Sequence, residues 1–186
     1  MKIFYTSDPH FSHANIILYS NRPFLKADGT PDIWAMNRHM TQAWNSVVKD
    51  NDTVILLGDF AMGQWKEWAG IRAKLNGRIV LIRGNHDRKL DQWMAPGDFA
   101  MNSLLFRDGT FLTHIPPGSV YEDRNRHDGL KPNPVPAEAT RILCGHVHDA
   151  WVTKTISVDS REIVCHNVGV DVRGYVPLTL EQIVGS

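Results

Sequence analysis

The sequence holds only two cysteines, Cys144 and Cys165, in 186 residues, and no CxxC pair. Neither a disulfide framework nor a thiolate zinc site is indicated, and a reducing compartment suits the chain. It has no surplus of either charge. Twenty Lys and Arg balance twenty Asp and Glu, giving a formal net charge of +0 and a pI of about 7.1. The electrostatic footprint of a non-specific nucleic-acid binder is therefore missing, and nucleic acid is expected only as a substrate. No apolar run approaches the ~20 residues that cross a bilayer, so no membrane partner is expected. The chain opens on a strand pattern, Lys2 to Thr6, which leaves no room for a targeting peptide. The expected location is the cytoplasm. Internal repeats and low-complexity segments are lacking too.

What is present suits one domain spanning residues 1–186. At 42% hydrophobic residues the chain can fill a core without disulfides or oligomerisation, and its oligomeric state is left open. Nine histidines are the compositional oddity.

Ile3 to Thr6 reads as a first strand ending in Ser7 Asp8 Pro9. Ser12 can cap a short helix from His13 through Leu18, and a longer helix is predicted from about Asp32. Its apolar positions Ile33, Met36, Met40, Trp44 and Val47 form one stripe, with Trp34 beside it. Thr53 to Leu57 and Ile79 to Ile82 lack alternation, as strands covered on both faces do. Between them Trp65, Trp68, Ile71, Arg72 and Leu75 mark an amphipathic helix. This β-helix-β order predicts parallel pairing. Beyond residue 99, Thr110 to Thr113, Arg141 to Cys144, Trp151 to Ile156 and Glu162 to Cys165 read as strands of a second sheet stacked on the first. The stretch from Ile115 to Ala137 has no periodicity and exceeds the usual loop length, which marks it as functional or mobile.

Several strand ends present metal-compatible residues: Asp8 with His10, Asp59 after Gly58, Asn85 with His86, His114, and His146 with His148. Loops after parallel strands gather at one edge of a sheet, so these groups can converge. Singly, each has an ordinary explanation. Gly-Asp is a common turn, Asn85 His86 can be turn chemistry, His114 can be a satisfied structural histidine, and the His146, His148 pair can sit on a hairpin.

As an ordered set, DxH, GD, GNHD, a single His and GHxH, the blocks resemble the calcineurin-like metallophosphoesterase family across residues 8–148. The stretch His10 to Ile17, with Asn21 to Phe24 and Asn167 to Val172, resembles its small, stand-alone bacterial and phage members. The resemblance implies an α/β fold, a four-layer α-β-β-α sandwich of two stacked mixed sheets. It implies two divalent metal ions, one held by Asp8, His10 and His148, the other by Asn85, His114 and His146, with Asp59 bridging. A carboxylate bridge can hold two cations about 3.5 to 4 Å apart, where a shared hydroxide attacks phosphorus in line. Imidazole and carboxylate ligands suit Mn²⁺, Fe, Zn²⁺ or Ni²⁺ over Ca²⁺, with Mn²⁺ favoured here. By the same resemblance His86 donates a proton or hydrogen bond to the leaving oxygen. Asp87, its sequence neighbour, is the expected catalytic partner, although a different carboxylate or a backbone carbonyl could orient the ring.

Gly58 Asp59 Phe60 Ala61 Met62 Gly63 departs from the GDxVDRG box of the family's protein phosphatases, which argues against that activity. Pro9 within DxH leaves both flanking side chains free to ligate. His13, Asn15 and Arg22 are candidates to meet substrate, His13 alternatively as a helix cap or supporting group and Arg22 as a loop anchor. His39 is expected on the surface, and Cys144, Cys165 and His166 in the core. Arg124, Arg126, His127 and Lys131 form either a positive strip or a solvated loop. The expected activity is a metal-dependent phosphodiesterase acting on a small or flexible phosphoester. A phosphomonoesterase or nuclease is the alternative, and a protein-binding scaffold is disfavoured because His86 and all seven ligands are present.

Overall fold

The computed structural model describes residues 1–119 and 131–185. Strands β1 (Ile3–Thr6), β2 (Thr53–Leu56) and β3 (Arg78–Ile82) form the first sheet, joined at its edge by β4 (Phe99–Met101). All neighbouring pairs are parallel. Parallel neighbours need crossovers. Helices α1 (Ala14–Tyr19) and α2 (Ile33–Val47) connect β1 to β2, and α3 (Trp65–Arg72) connects β2 to β3.

The side chain of Asp32 caps α2, accepting from the Ala35 N–H at 2.9 Å, and Met36, Met40 and Trp44 of its apolar stripe are buried. At α1 the expected cap differs. His13 is the N-cap and makes no side-chain capping bond. Ser12 is instead tied to α2: its N–H donates to Asn37 Oδ1 at 2.9 Å and its hydroxyl accepts from Asn37 Nδ2 at 3.2 Å.

The second sheet contains β5 (Ser103–Leu105), β6 (Thr110–Thr113), β7 (Arg141–Cys144), β8 (Thr153–Val158) and β9 (Arg161–Asn167), in the order β5-β6-β7-β9-β8. Pairs β6-β7 and β7-β9 are parallel; β5-β6 and β8-β9 are antiparallel. A last helix, α4 (Leu180–Val184), follows. The α/β sandwich of two stacked sheets is the expected fold. The first sheet is purely parallel where both were expected to be mixed, because β4 enters alongside β3 and not as a hairpin.

Alternation within the buried strands divides the core. Phe4, Val54, Leu56, Ile79 and Leu81 face the helices, against Ile16, Met36, Met40, Trp44 and Trp68. Tyr5, Ile55, Leu57, Val80 and Ile82 face the other way and meet Leu112, Leu143 and Val168 between the sheets. The far side of the second sheet, with Phe111, Ile142, Cys144 and Cys165, is packed by Val135, Ala139 and Trp151. The fourth layer is thus an irregular segment among the described residues, not a helix. Both thiols are free and buried, as expected, with their sulfurs 3.4 Å apart. Arg124, Arg126 and His127 lie outside the described residues. Lys131 is exposed. No helix among the described residues is long and apolar enough to cross a membrane.

Candidate metal centre

Strands β1, β2 and β3 run the same way, as do β6 and β7, so the loops after them share one rim. All seven expected ligands sit in those loops. Five of them, Asp8, His10, Asp59, His146 and His148, have left-handed backbones, with φ of 55°, 47°, 56°, 70° and 46°. Short polar side chains tolerate that conformation best, yet it still costs about 1–3 kcal/mol per residue. It turns the chain sharply out of each strand. Two glycines make room for the crowding: a Cβ on Gly84 would strike the Asp59 carboxylate, and one on Gly145 would strike Ser7 and the Asp8 carboxylate.

The ligand atoms of Asp8, His10 and His148 lie within 4.8 Å of one another, and so do those of Asp8, Asp59 and His114. His10 Nε2 is 3.4 Å from Asp59 Oδ2, and His114 Nε2 is 3.5 Å from the same oxygen. Asn85 Oδ1 is 3.0 Å from His114 Nε2 and 3.2 Å from His146 Nδ1. His86 stands at the lip, with Nε2 3.9 Å from Asp59 Oδ2 and its backbone N–H donating to Asp59 Oδ1 at 2.9 Å.

These residues fit cations. Asp8 Oδ1 and both ring nitrogens of His10 are buried without a hydrogen-bond partner, which is costly for the carboxylate and for the lone-pair nitrogen of the ring unless a cation faces them. His114 Nδ1 lies 2.7 Å from the Leu57 carbonyl and can only donate to it. In a neutral ring, Nε2 is then an acceptor facing another acceptor, Asn85 Oδ1. A metal ion or a proton relieves that pairing with the amide as placed; otherwise the Asn85 amide must turn its NH2 towards the ring.

One partner of this kind, Asp171, escaped sequence reasoning. Asp171 Oδ2 lies 2.9 Å from His148 Nδ1, which leaves Nε2 free to ligate. Asp171 in turn takes a two-pronged ion pair from Arg22, at 2.7 and 3.1 Å. Arg22 also donates to the carbonyls of Pro9 and Asp8, at 2.8 and 2.9 Å. It is the loop anchor, and its expected contact with substrate is corrected: the guanidinium is wholly buried. Asp87 is corrected likewise. Its carboxylate accepts from the N–H groups of Asp59, Phe60 and Gly84, at 2.9, 2.9 and 2.7 Å, so it splices the loops after β2 and β3 and does not orient the His86 ring. His13 lies beside the site, its ring 5.3 Å from that of His10. Asn15 is exposed on α1 and His39 on α2.

Burial drives the electrostatics. It pushes Asp59 up to about 7, with the His114 charge opposing and the Asp87 and Asp8 carboxylates adding to the rise. Burial lowers His10 well below the ordinary histidine value, reinforced by His148 and His86, and takes His146 down to about 4. For His114 burial opposes protonation, but Asp59 and Asp8 outweigh it and the net shift is upward. His148 is also raised: burial opposes protonation, but the bond to Asp171 together with the Asp8 and Asp171 charges outweighs it.

Metal-dependent phosphoester hydrolysis is the chemistry that this fold and donor set serve. Residues 1–170 match the calcineurin-like phosphoesterase superfamily domain, and the chain belongs to that family. An uncharacterised protein of Methanocaldococcus jannaschii is 45% identical over 185 residues, 98% of this chain and 89% of its own. The gene 66 protein of Mycobacterium phage L5 is 36% identical over 89 residues, covering 45% of this chain and 38% of its own. A crystal structure of a protein of unknown function from Aquifex aeolicus superposes with a TM-score of 0.66 at 22% identity, over 98% of this chain and 97% of that one, a likeness of fold.

Proposed function

We propose that the chain is a dinuclear phosphodiesterase of small or flexible phosphoesters, with Mn²⁺ as the favoured metal. Asp8, His10 and His148 would hold one cation, Asn85, His114 and His146 the other, and Asp59 would serve both. The observation that carries this reading is the buried, unpartnered set of Asp8 Oδ1 and the two His10 nitrogens, beside a second pair of facing acceptors at His114 and Asn85. When bound, such cations supply a water of lowered pKa and neutralise phosphoryl oxygens.

The chain's own groups do the rest. Asp171 and the Leu57 carbonyl fix the tautomers of His148 and His114. His86, with 16% of its side-chain surface open, is held at the lip by Asp59, where its ring can give a proton or a hydrogen bond to the departing oxygen. The preference for diesters is supported by Arg22. A monoester dianion calls for an additional cation, and Arg22, which the sequence offered to the substrate, is consumed by Asp171. A diester carries a single charge.

The test is turnover of bis(p-nitrophenyl) phosphate against p-nitrophenyl phosphate with Mn²⁺ supplied. The diester should be hydrolysed faster; the opposite ranking rejects the diesterase assignment, and no turnover of either rejects the enzyme.

A further inference from the structure

A cleft of about 290 Å³ opens between α2 and α3, lined by Trp34, Asn37, Arg38 and Gln42 on one side and by Ile71 and Lys74 on the other. Trp34 is a large aromatic that keeps 67% of its surface in solvent. Its ring is nonetheless held, because the Arg38 guanidinium, one helical turn on, stacks 4.3 Å from the ring centroid. Ile71 gives the cleft an apolar floor, and its two charged lining residues, Arg38 and Lys74, are both cations. Asn37 joins the cleft to the catalytic rim through its two bonds to Ser12, two residues beyond His10 and so within about 7 Å of chain.

A restrained aromatic face, two flanking cations and the Gln42 amide answer to a planar base carried on a phosphate. We infer that this cleft seats one nucleoside unit of a single-stranded nucleotidyl phosphodiester whose cleaved bond lies at the rim. The inference rests on the phosphodiesterase reading and narrows its substrate class. The volume suits one nucleotide unit, not a duplex. Stacking on an aromatic side chain accepts any base, and the contact needs no basic field over the whole surface, in keeping with the formal net charge of +0.

The test is fluorescence anisotropy on the full-length protein, with a labelled, phosphorothioate-linked tetra-adenylate, which resists cleavage, and its abasic counterpart. The wild type should bind the adenylate about tenfold more tightly than the abasic strand, Trp34→Ala should abolish that preference, and Trp34→Phe should restore it. Equal binding of the two strands by the wild type, or a preference retained by Trp34→Ala, overturns the inference. Wild-type turnover of bis(p-nitrophenyl) phosphate separates the two claims. Turnover without a base preference refutes the cleft alone, whereas a base preference in a protein with no turnover refutes the diesterase reading and keeps the cleft as a nucleotide site.

Discussion

Asp59 is a carboxylate with almost no solvent and a pKa of about 7, and its neighbours Asp8 and Asp87 push in the same direction. Such a group gains most from a cation that faces it, and it sits within 3.5 Å of His10 and His114, which the proposal gives to different cations. Asp59→Asn should therefore lose both metals together, with activity down at least about 100-fold and metal content near zero by elemental analysis. His86→Ala should differ in kind: both metals retained, turnover reduced about 10²- to 10⁴-fold. Loss of metal from that variant would show that His86 is a ligand. The pKa shifts also fix how metal affinity varies with pH. Asp59, His114 and His148 are raised, so around pH 6 the metal-free site holds protons that a cation must displace, while His10 and His146 are lowered and have none to release. Mn²⁺ affinity should rise at least about tenfold from pH 6 to pH 8, with more protons released at pH 6, measured by titration calorimetry in two buffers. An affinity independent of pH would contradict this assignment of protons.

The loops between elements depend on Asp87 as a splice. Three backbone N–H groups from two loops converge on its carboxylate, and those loops carry Asp59 and Asn85. Asp87→Asn puts an amide N–H against a backbone N–H and should cost about 1.5–3 kcal/mol in urea unfolding. Unlike His86→Ala it should lower metal content along with turnover; full metal with lowered turnover would return Asp87 to a direct part in proton transfer. The elements themselves were unequally legible. Strands β2 and β3 are covered on both faces, so unbroken apolar runs announce them. Strands β4 and β5 have three residues each and no fully buried position, which leaves no pattern to read. Helix α4 has five residues, too few for periodicity, but its capping box, Thr179 with Gln182, was a signal available in the sequence. The ligands were legible because each is a metal-type residue after a strand. The pair that supports His148 was not, since Arg22 and Asp171 are 149 positions apart and only packing joins them.

For the whole molecule, the question is whether the metals hold up the fold or only arm it. The three apolar clusters, one under the helices, one between the sheets and one outside the second sheet, draw most of their residues from strands and helices, with Phe11, Phe60 and Ala61 the rim-loop members of the first. Chelation should therefore leave the far-ultraviolet circular dichroism and a cooperative melt in place while turnover vanishes, unlike a structural zinc domain, whose binding energy is its folding energy. The metal still stabilises what it binds. At a hundredfold excess over Kd each ion contributes about 2.7 kcal/mol, which for a chain of this length corresponds to a fall of roughly 5–10 °C in Tm per ion on chelation. That fall should grow with pH. A carboxylate or imidazole whose folded pKa is raised holds its proton more tightly in the folded state than in the unfolded one, so folding loses stability as pH rises through the raised value. Asp59, His114 and His148 all have that sign. His10 and His146 carry the opposite sign, but their contribution is spent once pH passes the ordinary histidine value of about 6.5, so the chelated protein should lose Tm between about pH 7 and pH 8, where the loaded protein binds Mn²⁺ more tightly. A melt that turns non-cooperative in EDTA would make the ions structural, and a gap between loaded and chelated protein that narrows with pH would mean that the buried carboxylate and imidazoles of the rim do not face them.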